Sequence, residues 1–242
     1  MTAFFHTIIS VPLYNGLVGL MSLLPFLDAG MIVILFTIII KLILLPLSIK
    51  ASKAQLEMKK TEKDLALIKE QYPDKEDQAR KTMEYYKENG INPFASIVIL
   101  LIQLPILIGL YRVFIKSGLP EINTAMLYSF VSAPLAVNMV FLGLINISQK
   151  SIILAILAGL TTFLQVHIAS SQPPASNAPA SPQGDMAKAM QAQMKYFLPV
   201  LITFVAYTVS AGVALYLITS NIFAIAQEYY IKKKYHKAVF VE

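Results

Sequence analysis

One lysine stands where a charge is least tolerated. Residues 31–49, MIVILFTIIIKLILLPLSI, form an apolar run that, as a helix, is about 28 Å long, close to the ~30 Å of a bilayer's hydrocarbon. Lys41 lies near its middle. The end of the run is about 12 Å away along the axis, and a lysine stem reaches only about 6 Å. A lysine at a helix centre is disfavoured by roughly 2.5–3.5 kcal/mol, so it marks a polar cavity, a partner or a pathway. Every Asp and Glu falls in a loop or at the end of an apolar run, Glu228 coming nearest, so no buried carboxylate is expected to neutralise it. Polar neutral groups are available instead: Thr37 and Ser48 share a helical face with Lys41, and Gln103, Gln165 and Asn221 interrupt other apolar runs. Each amide alone reads as a helix–helix hydrogen bond. With an unpaired cation they read as a water-containing groove of positive potential in a low dielectric. No catalytic chemistry is expected. His6, His167 and His236 lie in three separate regions, no nucleophile has a paired base, and there is no glycine-rich phosphate loop. The sequence calls for no enzyme activity, no cofactor and no metal.

The elements that would position this charge follow from composition. The chain has 242 residues, 56% hydrophobic and 14% charged, with mean hydropathy +0.62, against a charged fraction of about 25% in soluble domains. It reads as an all-α polytopic membrane protein. The absence of cysteine excludes disulfides, thiolate chemistry and cysteine lipidation. The net charge of +6 is better explained by lysines on cytoplasmic loops than by nucleic-acid recognition.

In chain order, residues 1–30 are apolar but broken by His6, Pro12, Asn15, Gly16, Gly19 and Pro25, with no basic residue before them, which fits an interfacial amphipathic segment on the outer face. Residues 31–49 are the first span. Residues 50–92 change character: up to Gly90 they hold nine Lys, one Arg and nine acids. Ala51, Ala54, Met58, Thr61, Leu65, Ile68 and Tyr72 nevertheless form one seam, Pro73-Asp74 breaks it, and Ala79, Met83 and Tyr86 form a second face that stops at Asn89-Gly90. This predicts a cytoplasmic helical hairpin. Asn92-Pro93 caps a second span over residues 93–115. Residues 116–149 tempt a hydropathy window, but counting them as a span would put Lys188, Lys195 and Lys232 to Lys234 outside, against the positive-inside bias. They are therefore read as an outer, non-spanning segment, with an interfacial helix as one form. Residues 150–169 are the third span and 170–195 a flexible cytoplasmic loop rich in Pro, Ala and Ser. Residues 196–208, short for a span, and 211–230 are the fourth and fifth, turning at Val209-Ser210-Ala211-Gly212, and 231–242 form a basic cytoplasmic tail.

The order of LLPLSIKASKAQLEMKK, the charged hairpin, NPFASIVILLIQLPILIGLYRVF, ILAGLTTFLQ and GVALYLITSNIFAIAQ resembles the YidC family of membrane protein insertases, with its mitochondrial Oxa and chloroplast Albino relatives. The resemblance implies five spans around a groove open to the cytoplasm and lipid but closed outside, and a hairpin that receives nascent chains. It implies a bacterial plasma (inner) membrane location, amino terminus outside and carboxyl terminus cytoplasmic. Nascent membrane proteins and the lipid bilayer are the implied partners, with the ribosome and a Sec translocon as candidates. Where the family typically has arginine in the groove this chain has Lys41, which keeps the charge but not the planar five-donor fork. The sequence reads as a minimal core, without the large extracytoplasmic domain or the long basic tail of some members, so weaker ribosome attachment is expected. The implied mechanism draws an acidic client stretch toward Lys41 while Phe197, Leu198 and Phe204 offer the client's apolar segment a greasy slide into lipid. The rival readings are a small transporter or channel, for which no inverted repeat is found, and a structural assembly factor.

Overall fold

The computed structural model describes residues 6–91, 95–116, 119, 121–169 and 182–236. They are mostly helical. After a π turn at His6–Ser10 come α1 (Val11–Leu23), α2 (Ala29–Lys60), α3 (Glu62–Gln71), α4 (Lys75–Glu88) and α5 (Ala95–Lys116). A segment with a 3-10 turn at Thr124–Met126 and a two-residue ladder, β1 (Val140–Phe141) and β2 (Ile145–Asn146), leads to α6 (Ile152–Ala169), α7 (Pro182–Thr208) and α8 (Ala211–His236). The ladder is antiparallel, Val140 opposite Asn146 and Phe141 opposite Ile145.

The composition change at Lys50 is not a helix end. α2 continues to Lys60, because lysine, alanine, glutamine, leucine and glutamate are as helix-compatible in water as isoleucine is in lipid. Pro46 sits inside it, as Pro105 and Pro199 do in α5 and α7. Pro73 and the Asp74 cap separate α3 from α4. The Asp74 carboxylate accepts from the Glu76 and Asp77 N–H groups at 3.1 Å, and Gly90 (φ 64°) follows the α4 end. Tyr85 Oη donates to Asp64 at 2.6 Å, joining α4 to α3; that bond favours the neutral phenol and raises its pKa.

Residues 121–149 hold no helix longer than the three-residue turn. Of the forms open to an outer, non-spanning segment, an interfacial helix does not occur among these residues, because Ser129, Ser132, Pro134 and Asn138 break the apolar run into extended pieces. The segment instead forms a cap on the helix ends. The Ala29 N–H donates to Asn138 O at 2.8 Å, Ala211 to Gln149 O at 2.7 Å and Gly212 to Ile147 O at 2.9 Å. These bonds satisfy the orphan donors at the starts of α2 and α8. The Asn15 amide donates to Met126 O and accepts from the Tyr128 N–H, and the Asn123 N–H donates to Tyr14 Oη, so α1 is bound to the same cap.

The α8 helix packs on α2, α5, α6 and α7, and α6 against α7 is the most extensive pairing. Gly159 makes that approach possible: a Cβ there would overlap the Thr203 side chain and lie 3.1 Å from Pro199 O. Small residues at helix contacts are what association in lipid requires. At the far end from the cap the Lys232 ammonium donates to Ile168 O, near the α6 C-terminus where a cation is favourable.

By length and composition three helical stretches suffice to cross a membrane: His6–Leu23, Ala29–Ala54 and Ala211–Lys234. Gln103–Phe114, Ile152–Ile168 and Lys195–Thr208 are shorter apolar helices. The first of the three falls where the sequence suggested an interfacial segment. Asn92, Pro93 and most of the Pro/Ala/Ser stretch, residues 170–181, lie outside the described residues, whereas 182–185 already belong to α7.

Candidate functional site: a half-closed polar seam

The α2 and α8 helices both start at the cap and run side by side in the same direction. Their facing stripes carry the polar groups. Lys41 Nζ on α2 donates to Gln103 Oε1 of α5 at 3.2 Å. The Gln103 amide nitrogen donates to Tyr216 Oη at 2.5 Å and Ser220 Oγ at 3.3 Å, both on α8. Those two acceptors fix the amide so that its oxygen faces the ammonium. Two turns further from the cap, about 10 Å along the axis, Ser48 Oγ donates to Gln227 Oε1 at 3.0 Å and accepts from Gln227 Nε2 at 2.7 Å. Among the described residues no carboxylate lies within ion-pair distance of Lys41; the described pairs are Arg80–Asp77, Lys81–Glu84 and Lys232–Glu228.

Burial divides the seam in two. Toward the cap, Ile32, Val33, Phe36, Leu110, Val113, Phe114, Val213 and Leu215 are all buried in one apolar cluster with Tyr14 and Leu17 of α1. Away from it, no α2 residue between Thr37 and Ala51 is buried, and Leu42, Ile43, Leu47, Leu104 and Ile108 are exposed. Lys41 sits at the boundary, half-buried. Its charge thus has an apolar plug on one side and an uncovered trough on the other. A cation so placed projects its potential into the trough, because the plug keeps water from screening it on the cap side.

The expected groove residues separate accordingly. Lys41 and Gln103 are brought together, and Ser48 lies on the same seam. Thr37 is not in the trough: it is fully buried and its hydroxyl donates to Val33 O of its own helix at 2.7 Å. Asn221 faces α6, where it donates to Thr162 Oγ1 at 2.8 Å and Thr161 Oγ1 at 3.1 Å. Gln165 is half-buried on α6 and joined to none of these groups. Tyr216, Ser220 and Gln227 were not singled out from sequence. Their spacing of four and seven residues is the available signal, one polar stripe on an otherwise apolar helix. On α7, Phe197 and Phe204 are exposed and Leu198 half-buried, and Val200 and Leu201 extend their exposed apolar face.

The family model described as 60Kd inner membrane protein matches residues 21–238. The chain is similar to the membrane protein insertase YidC of Fusobacterium nucleatum, 32% identical over 206 residues, covering 85% of this chain and 86% of that one. It is equally similar, 32% over 207 residues, to the membrane protein insertases YidC of Francisella tularensis subsp. novicida and subsp. tularensis, where 85% of this chain spans only 33% of theirs. A match over most of the chain, together with identity at this level to a relative of nearly the same span, means that the chain belongs to the 60Kd inner membrane protein family, the YidC/Oxa family of membrane protein insertases.

Proposed function

We propose that this chain moves apolar segments of nascent membrane proteins from the cytoplasm into the bilayer, and that the half-closed seam around Lys41 is where the client's polar stretch is held meanwhile. The observation that carries this reading is the division of burial along α2, α5 and α8. A channel needs a path through, and the apolar cluster at the cap closes it; a purely structural bundle would bury both halves. The trough admits a short polar or acidic stretch, which Lys41 attracts. The client's apolar segment moves along the exposed faces of α2, α6 and α7, Phe197 and Phe204 included, and partitions into lipid. That partition is downhill for a helix of about twenty apolar residues, so no nucleotide is required.

The placement in the membrane is part of the proposal. α2, α6 and α8 start at the cap while α5 and α7 end there, which supports five crossings with the cap outside and α3 and α4 in the cytoplasm as the receiving hairpin. α1 is read as lying along the outer face: Tyr14 and Asn15, in the middle of His6–Leu23, are bonded to the cap, whereas a crossing helix would bring only one end to that level. Ribosome and Sec translocon contacts would fall on the hairpin side and the lipid-facing side respectively.

Photo-crosslinking to stalled nascent chains tests the reading. A photoreactive residue at Leu42 or Gln103 is expected to capture an acidic client segment, and one at Val33, inside the plug, is not. Equal capture at all three positions, or none at Leu42 and Gln103, would refute the half-closed seam as the client's site.

A further inference from the structure

The cap that closes the seam is built from residues a water-facing loop avoids. Between Glu121 and Lys150 there is no Asp, Glu, Lys or Arg. Phe130 is 82% exposed, Leu144 83% and Leu142 61%, and Leu135 is fully exposed. Leu23 and Phe26, in the turn from α1 to α2, are 76% and 78% exposed. The ladder's tip is the clearest case. Leu142 (φ 50°) and Gly143 (φ 72°) form a turn with both central residues in the left-handed region. Asparagine, aspartate or glycine normally takes the first of those places, since leucine is strained there. Leucine at that position presents an apolar tip where an ordinary turn would be polar.

The tip is held firmly. The Leu142 N–H donates to Asp28 Oδ2 at 3.1 Å, while Asp28 Oδ1 accepts from the Met31 N–H at 2.9 Å in the first turn of α2. Gly30 leaves room for the Phe141 ring to lie against that same turn; any Cβ would overlap it. The cap's bonds to Ala29, Ala211 and Gly212 set its height at the helix starts. Directly after Lys150 the chain enters α6 with Ile152 and Ile153 exposed. The exposed apolar side chains of the cap therefore continue the exposed faces of the helices at the depth where those faces begin.

We propose that the apolar edge of the cap, Phe130 and Leu135 to Leu144 with the Leu23–Phe26 turn, is a lipid-immersed collar whose Leu142–Leu144 tip and Phe130 insert into the acyl-chain boundary of the adjacent leaflet, while the Asn123 end of the cap faces water. Its occupant is lipid rather than a protein partner. The exposed apolar residues lie beside both the α2 and the α6 starts, which suits a surrounding solvent, and they offer no charge to orient a partner. Apolar and aromatic side chains at this depth anchor a segment without crossing the bilayer. The inference rests on the helices spanning the membrane as proposed above.

The chain contains no tryptophan, so single tryptophans report without background. Leu144→Trp, Phe130→Trp, Ile153→Trp and Glu121→Trp would each be reconstituted into phosphatidylcholine vesicles with or without lipids brominated near the glycerol end of the acyl chain. Leu144→Trp and Phe130→Trp are expected to emit at short wavelength, to be quenched by bromolipid and to resist aqueous iodide, while Glu121→Trp shows the reverse. Iodide quenching without bromolipid quenching at both cap positions, with Ile153→Trp still quenched by bromolipid, overturns the collar alone. Short-wavelength emission quenched by neither agent also overturns it, in favour of a protein contact. Failure of bromolipid to quench Ile153→Trp removes the spanning reading and the collar together.

Discussion

The Lys41 ammonium has three N–H donors, and the described residues supply one acceptor, Gln103 Oε1. The other two donors have no partner among the described residues and are left for a client. At about 8 Å and an effective dielectric of about 20 a unit charge attracts a client carboxylate by about 2 kcal/mol, more than tenfold in occupancy. Lys41→Arg is therefore expected to preserve insertion of clients with acidic translocated tails, Lys41→Ala to reduce it roughly tenfold, and Lys41→Glu to reduce it further, with neutral-tail clients little affected. Insertion into liposomes at matched amounts of folded protein measures this, and equal insertion of both client types by every variant would leave only a hydrophobic slide. Gln103 depends on Tyr216 and Ser220 for its orientation. Replacing both, Tyr216→Phe with Ser220→Ala, frees the amide to turn its N–H groups toward the lysine, and a double-mutant cycle should show coupling to Lys41. Additive losses would mean that the two hydroxyls act elsewhere. Lys41, Gln103 and Ser48 were legible because a charge, an amide or a hydroxyl inside an apolar run stands out. Tyr216 was not, since a tyrosine counts as apolar until its hydroxyl is seen to have a partner. Thr37 misled for the opposite reason: a threonine in an apolar helix satisfies itself on the preceding turn.

Rotation about a helix axis decides the fate of neighbouring polar residues. Ser220 and Asn221 are adjacent in sequence yet 100° apart around α8, so one faces the seam and the other pins α8 to α6. Sequence shows the residues and leaves the rotation to packing. Asn221→Ala should destabilise the bundle by about 0.6–1.7 kcal/mol, between the average and the largest value for interhelical bonds in bilayers, read from unfolding in mixed micelles, without abolishing the acidic-tail preference. Loss of that preference at unchanged stability would return Asn221 to the groove. The α3–α4 pair was legible from its seam and its Pro73-Asp74 break, whereas the continuity of α2 through Lys50 was not, because composition marks where water begins and not where a helix stops. Replacing residues 56–86 by a flexible linker should leave the remaining helices inserted but impair client capture; unimpaired complementation of an insertase-depleted strain would show that the pair is not a receiving element.

For the whole molecule the relevant quantity is parity. α2 and α8 run in parallel, so they cross in one sense only if an odd number of crossings lies between them, and the proposed five spans require α5, α6 and α7 all to cross. Cysteines placed singly at Ser176 and Ala238 should be protected from an impermeant thiol reagent outside intact cells, and one at Asn123 labelled. External labelling at Ser176 would reverse the assignment.

The bonds of the seam also constrain how the chain itself is made. They join residues separated by 62, 113, 117 and 179 positions, and all but the first need α8, the last helix to be synthesised. Until then Gln103 lacks Tyr216 and Ser220, Ser48 lacks Gln227, and the plug lacks Val213, Leu215 and Tyr216. Such long-range closure is slow to form. During its own synthesis the nascent protein would thus carry an incompletely enclosed charge, the kind of incomplete client that the proposed site would receive.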